Sequence, residues 1–287
     1  MSVIGAGAGH GRVAAPSELS AVAARQAARR RRRQLVEHPV VGVVAPLVAV
    51  AIVLGAWQLT GHFVSPILIS SPSQVARDFV SLWSQGAISA AIGISLRELY
   101  LGLAIGVVAG LLLGLLIGRY RLLDNVLSPF INAANATPLN ILIPLMIIWV
   151  GLSAQARVLF IVLITMFPVL LNTAGGLKNV NRGYMEVGRT LGLSERQLLW
   201  KVAIPATTPY IFAGLRVGVS LSIIGMIVGE IEVSNVGLGY LLSQYGESYQ
   251  TGRLLALIIL AAILGVVNVS VLRGVQLRWF KWTRAAR

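Results

Sequence analysis

The sequence predicts an all-α integral membrane protein that crosses the bilayer six times. Three observations lead there. Apolar residues make up 56% of the 287 residues and charged residues only 12%, against about 25% charged in soluble domains; mean hydropathy is +0.79. The charges cluster and leave apolar blocks of roughly 20 residues, the length that spans hydrocarbon as a helix. Six spans would also put 19 of the 24 Lys and Arg on one side, and that excess assigns this side, with both termini, to the cytoplasm.

The chain divides into a basic tail 1–38, a first span with an external segment at 39–89, a five-helix core at 90–275, and a basic, aromatic tail at 276–287. Gly, Ala and an arginine run dominate the first tail; it is expected to be unstructured and held near anionic headgroups. Val40 to Leu59 is the first span, with Trp57 at an interface. Pro66 and Pro72 then break the backbone. Ser73 is the expected cap of a short helix that puts Val75, Phe79, Leu82 and Trp83 on one face, a pattern suited to the membrane surface.

The second span runs from about Ala90 to Gly118. Gly102, Gly106, Gly110, Gly114 and Gly118 recur every four residues along it. That spacing makes one ridge of the helix, along which a second backbone can approach closely in lipid. The third span, about Val126 to Val150, is polar and interrupted. It carries Asn132, Asn135, Thr137 and Asn140, with Pro138 and Pro144. Polar side chains at this depth face a bundle interior or a cavity, so they line a path or bond a neighbouring helix. Asn132, Asn135 and Asn140 are therefore pathway candidates, joined by Glu230 near the outer end of span five. The fourth, fifth and sixth spans are expected at about Val158 to Asn172, Pro209 to Ile231 and Leu254 to Leu272, with a loop SNVGLGYLLSQYGESYQTGR before the last.

Between spans four and five lies a charged island, 179–205. Asn179 to Leu191 reads as a short helix with Tyr184, Val187, Gly188 and Leu191 on one face. Gly192 permits a turn that residues with a Cβ resist. Ser194 and Gln197 make a capping box that starts a second helix, and Pro205 should end it. A cytoplasmic helix–turn–helix with a small, apolar face can enter a partner's groove.

At these residues the chain resembles the permease subunits of bacterial ABC importers. Their loop pattern is EAA, three residues, G, nine residues, I, one residue, LP. Glu186 holds the first place, Gly192 the glycine, Val202 the isoleucine, and Ile204 with Pro205 the final pair; Val187 and Gly188 replace the alanines. The resemblance covers roughly Ala90 to Leu272. SPSQVARDFVSLWSQGAISAAIGISLRELYLG and SNVGLGYLL are similar to stretches of the nitrate, sulfonate and taurine permeases, and related permeases for pyrimidine vitamin precursors and aromatic acids share the look.

The resemblance implies a type I importer permease fold in a bacterial cytoplasmic membrane. Two ATPase subunits would grip Tyr184, Glu186, Val187, Gly188, Leu191, Gly192, Ser194 and Pro205. It further implies a second permease subunit, with a homodimer expected, and an external or lipid-anchored binding protein that delivers a small anion. ATP and Mg would be used by the partner subunits, with no cofactor on this chain. Lys178, Lys201 and Lys281 are the only lysines and none follows a glycine; the phosphate-binding loop needs Gly-Lys, so hydrolysis is expected from another polypeptide.

The residues speak against other classes. Without cysteine there is no disulfide or thiolate chemistry. His10, His38 and His62 are scattered, so no metal site is expected. The net charge of +14 is explained by topology, and no basic folded domain exists to hold nucleic acid. A secondary transporter or channel is the rival reading; the nearly charge-free midplane opposes it.

Overall fold

The computed structural model describes residues 39–279, so the first tail, 1–38, and residues 280–287 of the second lie outside the described residues. Contacts divide the chain into a unit ending at Thr60 and a larger unit from Gly61 onward. The described part of the first is most of α1 (Pro39–Phe63), an unbroken apolar helix despite Pro46.

The regular elements among the described residues of the second unit are all helices, joined by short turns and loops. Its elements are α2 (Pro72–Ser84), α3 (Ala87–Arg119), α4 (Arg121–Ala136), a 3₁₀ turn (Leu139–Leu142), α5 (Ile143–Val150), α6 (Ala154–Lys178), α7 (Arg182–Thr190), α8 (Glu195–Leu198), a π turn (Leu199–Ala203), α9 (Ile204–Val233), α10 (Leu238–Glu247) and α11 (Thr251–Trp279). Among the described residues five helical runs are long and apolar enough to cross a membrane, or six if α4 and α5, bent by 93°, are taken as one span.

Helix α6 is the centre of the bundle. The glycine ridge of α3 lies along one side of it. A Cβ added at Gly102 would fall 2.6 Å from the Ile161 Cβ, and one at Gly106, Gly110 or Gly114 2.7–2.8 Å from the carbonyl oxygens of Val162, Met166 and Leu170. No side chain fits there, so the two backbones pack with little between them, as small residues permit in lipid. On α9, Gly214 and Gly218 approach α6 in the same way, over Pro168 and Thr165. Two glycine faces therefore hold one helix.

The third span is interrupted at Pro138 as its sequence indicates: the ring lacks an N–H and disfavours helix at Thr137, which is extended at φ −80°, ψ 130°. Several other expectations are corrected. Ser71, not Ser73, caps α2, its hydroxyl accepting from Gln74 N–H at 3.4 Å. The apolar face of α2 is turned into the bundle rather than laid on a membrane surface: Val75 and Leu82 are buried, and Leu82 packs with Ile88 and Leu257. The loop before span six contains α10. Pro205 ends nothing: α8, the π turn and α9 form one helical run, Glu195–Val233, of 39 residues. Proline is tolerated where its missing donor falls in a first turn or a widened one. The π turn supplies this, with Ile204 N–H reaching back five residues to the Leu199 carbonyl.

Candidate functional site

The island forms a hairpin with every turn chemically specified. Asn181 caps α7, its Oδ1 accepting from Gly183 N–H at 2.8 Å. At the other end Gly192 is left-handed at φ +78°. Gly192 N–H donates to the Arg189 carbonyl at 2.9 Å and Leu193 N–H to the Gly188 carbonyl at 3.1 Å. This pair of bonds is a Schellman motif, the commonest use of a left-handed glycine after a helix. The capping box follows: Ser194 N–H donates to Gln197 Oε1 at 2.9 Å and Gln197 N–H to Ser194 Oγ at 3.4 Å.

The hairpin separates the residues grouped on its face. Gly188 is buried inside, where an added Cβ would meet the Leu198 side chain. Tyr184, Val187 and Leu191 point outward and are 61%, 60% and 75% exposed. Their spacing of three and four makes one stripe on α7. Trp200, in the π turn, is also exposed; a tryptophan beside Lys201 in a charged island is the local signal that marks it. Glu186 and Ser194 are exposed and Pro205 partly so.

Ion pairs tie the hairpin to the bundle. Glu195 accepts from Arg119 of α3 at 3.1 Å and from Arg189 of α7 at 3.2 Å. Lys178, at the end of α6, donates to Asp124 of α4 at 2.6 Å, and Ser128 donates to the same carboxylate. The two arginine–Glu195 pairs are solvent-exposed, and such pairs contribute about 0–1 kcal/mol; they set direction more than strength.

The bent span leaves Asn132, Asn135 and Asn140 exposed. Among the described residues no side chain hydrogen-bonds their amides. A polar group in that condition inside a membrane requires water or another chain.

Glu230 is placed differently. It is fully buried, and its Oε2 accepts from Gly239 N–H at 2.7 Å. Ser95 of α3 accepts from Leu238 N–H at 2.9 Å. Two otherwise unsatisfied donors of the first turn of α10 are thus met by side chains from α3 and α9. This explains the glycines of SNVGLGYLL: Gly237 is left-handed at φ +97° and a Cβ there would fall 2.5 Å from Glu230 Cδ. Beside this cluster, Glu98 and Arg157 form a buried ion pair that the sequence reading did not single out. Among the described residues no three His, Cys, Asp or Glu are grouped to hold a metal.

The arrangement is that of a type I ABC importer permease. Two inward-facing crystal forms of the MetNI methionine ABC transporter share the fold, with TM-scores of 0.52 and 0.53 at 20% identity, over 64% and 67% of this chain and 94% and 97% of theirs. The chain belongs to the family described as the binding-protein-dependent transport system inner membrane component, whose model matches residues 106–280. It is 35% identical over 241 residues to the putative aliphatic sulfonates transport permease protein SsuC of Escherichia coli, covering 82% of this chain and 92% of that one. It is 29% identical to the taurine transport system permease protein TauC of E. coli (81% and 87% covered) and to the formylaminopyrimidine transport permease protein ThiX of Halalkalibacterium halodurans (79% and 91%). The chain is therefore a multi-pass, non-catalytic permease subunit of an ABC importer, a class that works with an ATPase and a binding protein.

Proposed function

We propose that the hairpin 179–205 is the docking surface for the ATPase and that the permease passes a small anion of the sulfonate, taurine or nitrate kind. The observation that carries the docking assignment is the stripe of Tyr184, Val187 and Leu191. Three large apolar side chains stand exposed on a rigidly capped element outside the apolar spans. An amphipathic helix with anchors three and four residues apart is suited to a groove in a partner.

The connections on either side of the stripe suit it to passing on motion. The hairpin runs into α9 without a break over 39 residues, so displacement of α8 moves a membrane helix as one body. Lys178 and Asp124 link the foot of α6 to α4, the helix that carries Asn132 and Asn135. In this reading two permease copies face each other across the exposed amides, and the bent span lines the path. ATP with Mg is used by two ATPase subunits on the cytoplasmic side, where both termini also lie. The binding protein docks at the opposite end, near 234–252.

The anion assignment is supported by the sulfonate, taurine and nitrate transport named for relatives. A pyrimidine vitamin precursor is the second reading, favoured by the likeness to ThiX. Uptake by cells carrying the permease with its ATPase and binding protein separates them. Labelled alkanesulfonate, taurine, nitrate and formylaminopyrimidine are each offered, the three anions with and without excess unlabelled formylaminopyrimidine. Uptake of one of the three anions, insensitive to formylaminopyrimidine, is expected; uptake of the pyrimidine alone would establish the second reading. Leu191→Asp should abolish uptake while leaving the permease in the membrane, and unchanged uptake would remove the docking assignment.

A further inference from the structure

An apolar groove runs between α9 and α11, lined by Ser220, Ile223 and Ile227 on one helix and Ala262, Val266 and Val269 on the other. It ends in cations. Arg216 lies one turn before Ser220, whose hydroxyl donates to the Arg216 carbonyl at 3.0 Å. Arg216 Nη2 crosses to α11 and donates to Gln276 Oε1 at 2.8 Å. Arg273 is exposed one turn before Gln276. Among the described residues no carboxylate pairs with Arg216 or Arg273.

Depth gives this arrangement its meaning. Arg216 stands 17 residues before Val233, the far end of α9, which is about 26 Å along a helix. The hydrocarbon layer is about 30 Å thick, so a guanidinium there sits at the inner edge of the apolar layer, within reach of the headgroups on the hairpin's side. An arginine at that edge keeps its charge by reaching the headgroup layer, where lipid phosphates are the anions at hand. A neutral glutamine amide does not supply the charge, and a second apolar helix laid in the groove would not either.

We propose that the α9–α11 groove is a site for a phospholipid with an anionic headgroup. Its acyl chain lies along Ile223, Ile227 and Val266, and its phosphate meets Arg216 and Arg273. Basic residues at the membrane edge of a helix–helix groove are the usual means of holding such headgroups. The apolar trough requires a lipid rather than a free anion.

The test uses the full-length chain in its transporter complex, extracted in mild detergent and stripped of lipid. Phosphatidylglycerol and phosphatidylcholine are titrated separately, inorganic phosphate is titrated against bound phosphatidylglycerol, and bound molecules are counted by native mass spectrometry. Phosphatidylglycerol should be retained in preference to phosphatidylcholine. Arg216→Gln should weaken it roughly fivefold, the effect of one arginine near a charged lipid surface. Arg216→Lys should keep most of the binding, which separates charge from folding. Ala262→Phe, which fills the trough, should remove the lipid with both arginines in place. Equal retention of the two lipids, or indifference to Arg216→Gln, would overturn the site. So would displacement of the lipid by inorganic phosphate. Disulfide-linked pairs of Val266→Cys chains that retain no lipid would also overturn it, giving the groove to a second copy.

Discussion

Glu98 and Arg157 close the N-terminal end of the glycine seam in its own register. Arg157 lies 59 positions after Glu98, joined by Nε to Oε2 at 2.8 Å and Nη2 to Oε1 at 2.5 Å. Gly102 and Ile161, Gly106 and Thr165, Gly110 and Val169, and Gly114 and Thr173 meet at the same offset. The charge pair occupies the slot one turn before Gly102. Five consecutive turns of α3 and α6 thus run parallel, four residues against four, and the last contact is made by side chains only 7% exposed.

A buried ion pair costs much to break and little to replace. Glu98→Ala or Arg157→Ala leaves one charge buried without its partner and should cost about 3–5 kcal/mol. The double change Glu98→Leu with Arg157→Met should recover most of that. Unfolding of the purified permease in detergent measures all three; equal losses in the single and double variants would remove the pairing argument.

Steric closure should govern the rest of the seam. Gly110→Val puts a Cβ where the Met166 carbonyl lies 2.7 Å away. The backbones must separate, at a cost of about 1–3 kcal/mol or more. Gly93→Ala, on the same helix with nothing within 4 Å of the added carbon, should leave stability unchanged or raise it by up to about 1 kcal/mol. Helix propensity alone would make both changes neutral or favourable, so a loss at Gly93→Ala as large as that at Gly110→Val would contradict the packing account.

The hairpin turn should be sensitive to backbone shape. Gly192→Val forces a β-branched residue to φ +78°, a conformation that costs about 1–2 kcal/mol with a Cβ present. The space around Gly192 is open, so the loss is conformational. Uptake should fall sharply while ATP hydrolysis continues without coupling. Ser194→Ala removes the capping hydroxyl and should cost about 1 kcal/mol, with partial loss of uptake. Normal coupled uptake by Gly192→Val would contradict the role given to the turn.

The unpaired amides should affect passage and not assembly. Asn135→Ala and Asn140→Ala are expected to change transport rate or substrate preference while the ATPase still co-purifies. Unchanged transport in both would reduce them to packing residues between copies.

Much of the hairpin was legible because its signals are local. A glycine, a capping box and a stripe at three and four residues are each contained within a few positions. The seam was half legible. Spacing of four marks a ridge, but nothing in it says which helix fills the groove. Glu98 gave a signal that was available and not used: it stands four residues before Gly102, on the packed ridge, where a carboxylate must find a buried partner. Arg157 could not be matched to it without the fold. The bend at Pro138 was visible as an interruption and its angle was not. The rule against helix before proline failed at Ile204 because a π turn widened the helix where the ring had to fit.

The hairpin's docking on an ATPase is the central claim, and the chain offers a direct measurement. It contains no cysteine, so a single introduced thiol reports one position. Tyr184→Cys and Leu191→Cys, each produced with the partner ATPase, should crosslink to it through a short thiol-to-amine reagent. Leu198→Cys, buried inside the hairpin, should not. Efficient crosslinking at the two exposed positions alone is the predicted result; transporters that import normally and crosslink at neither would contradict the account.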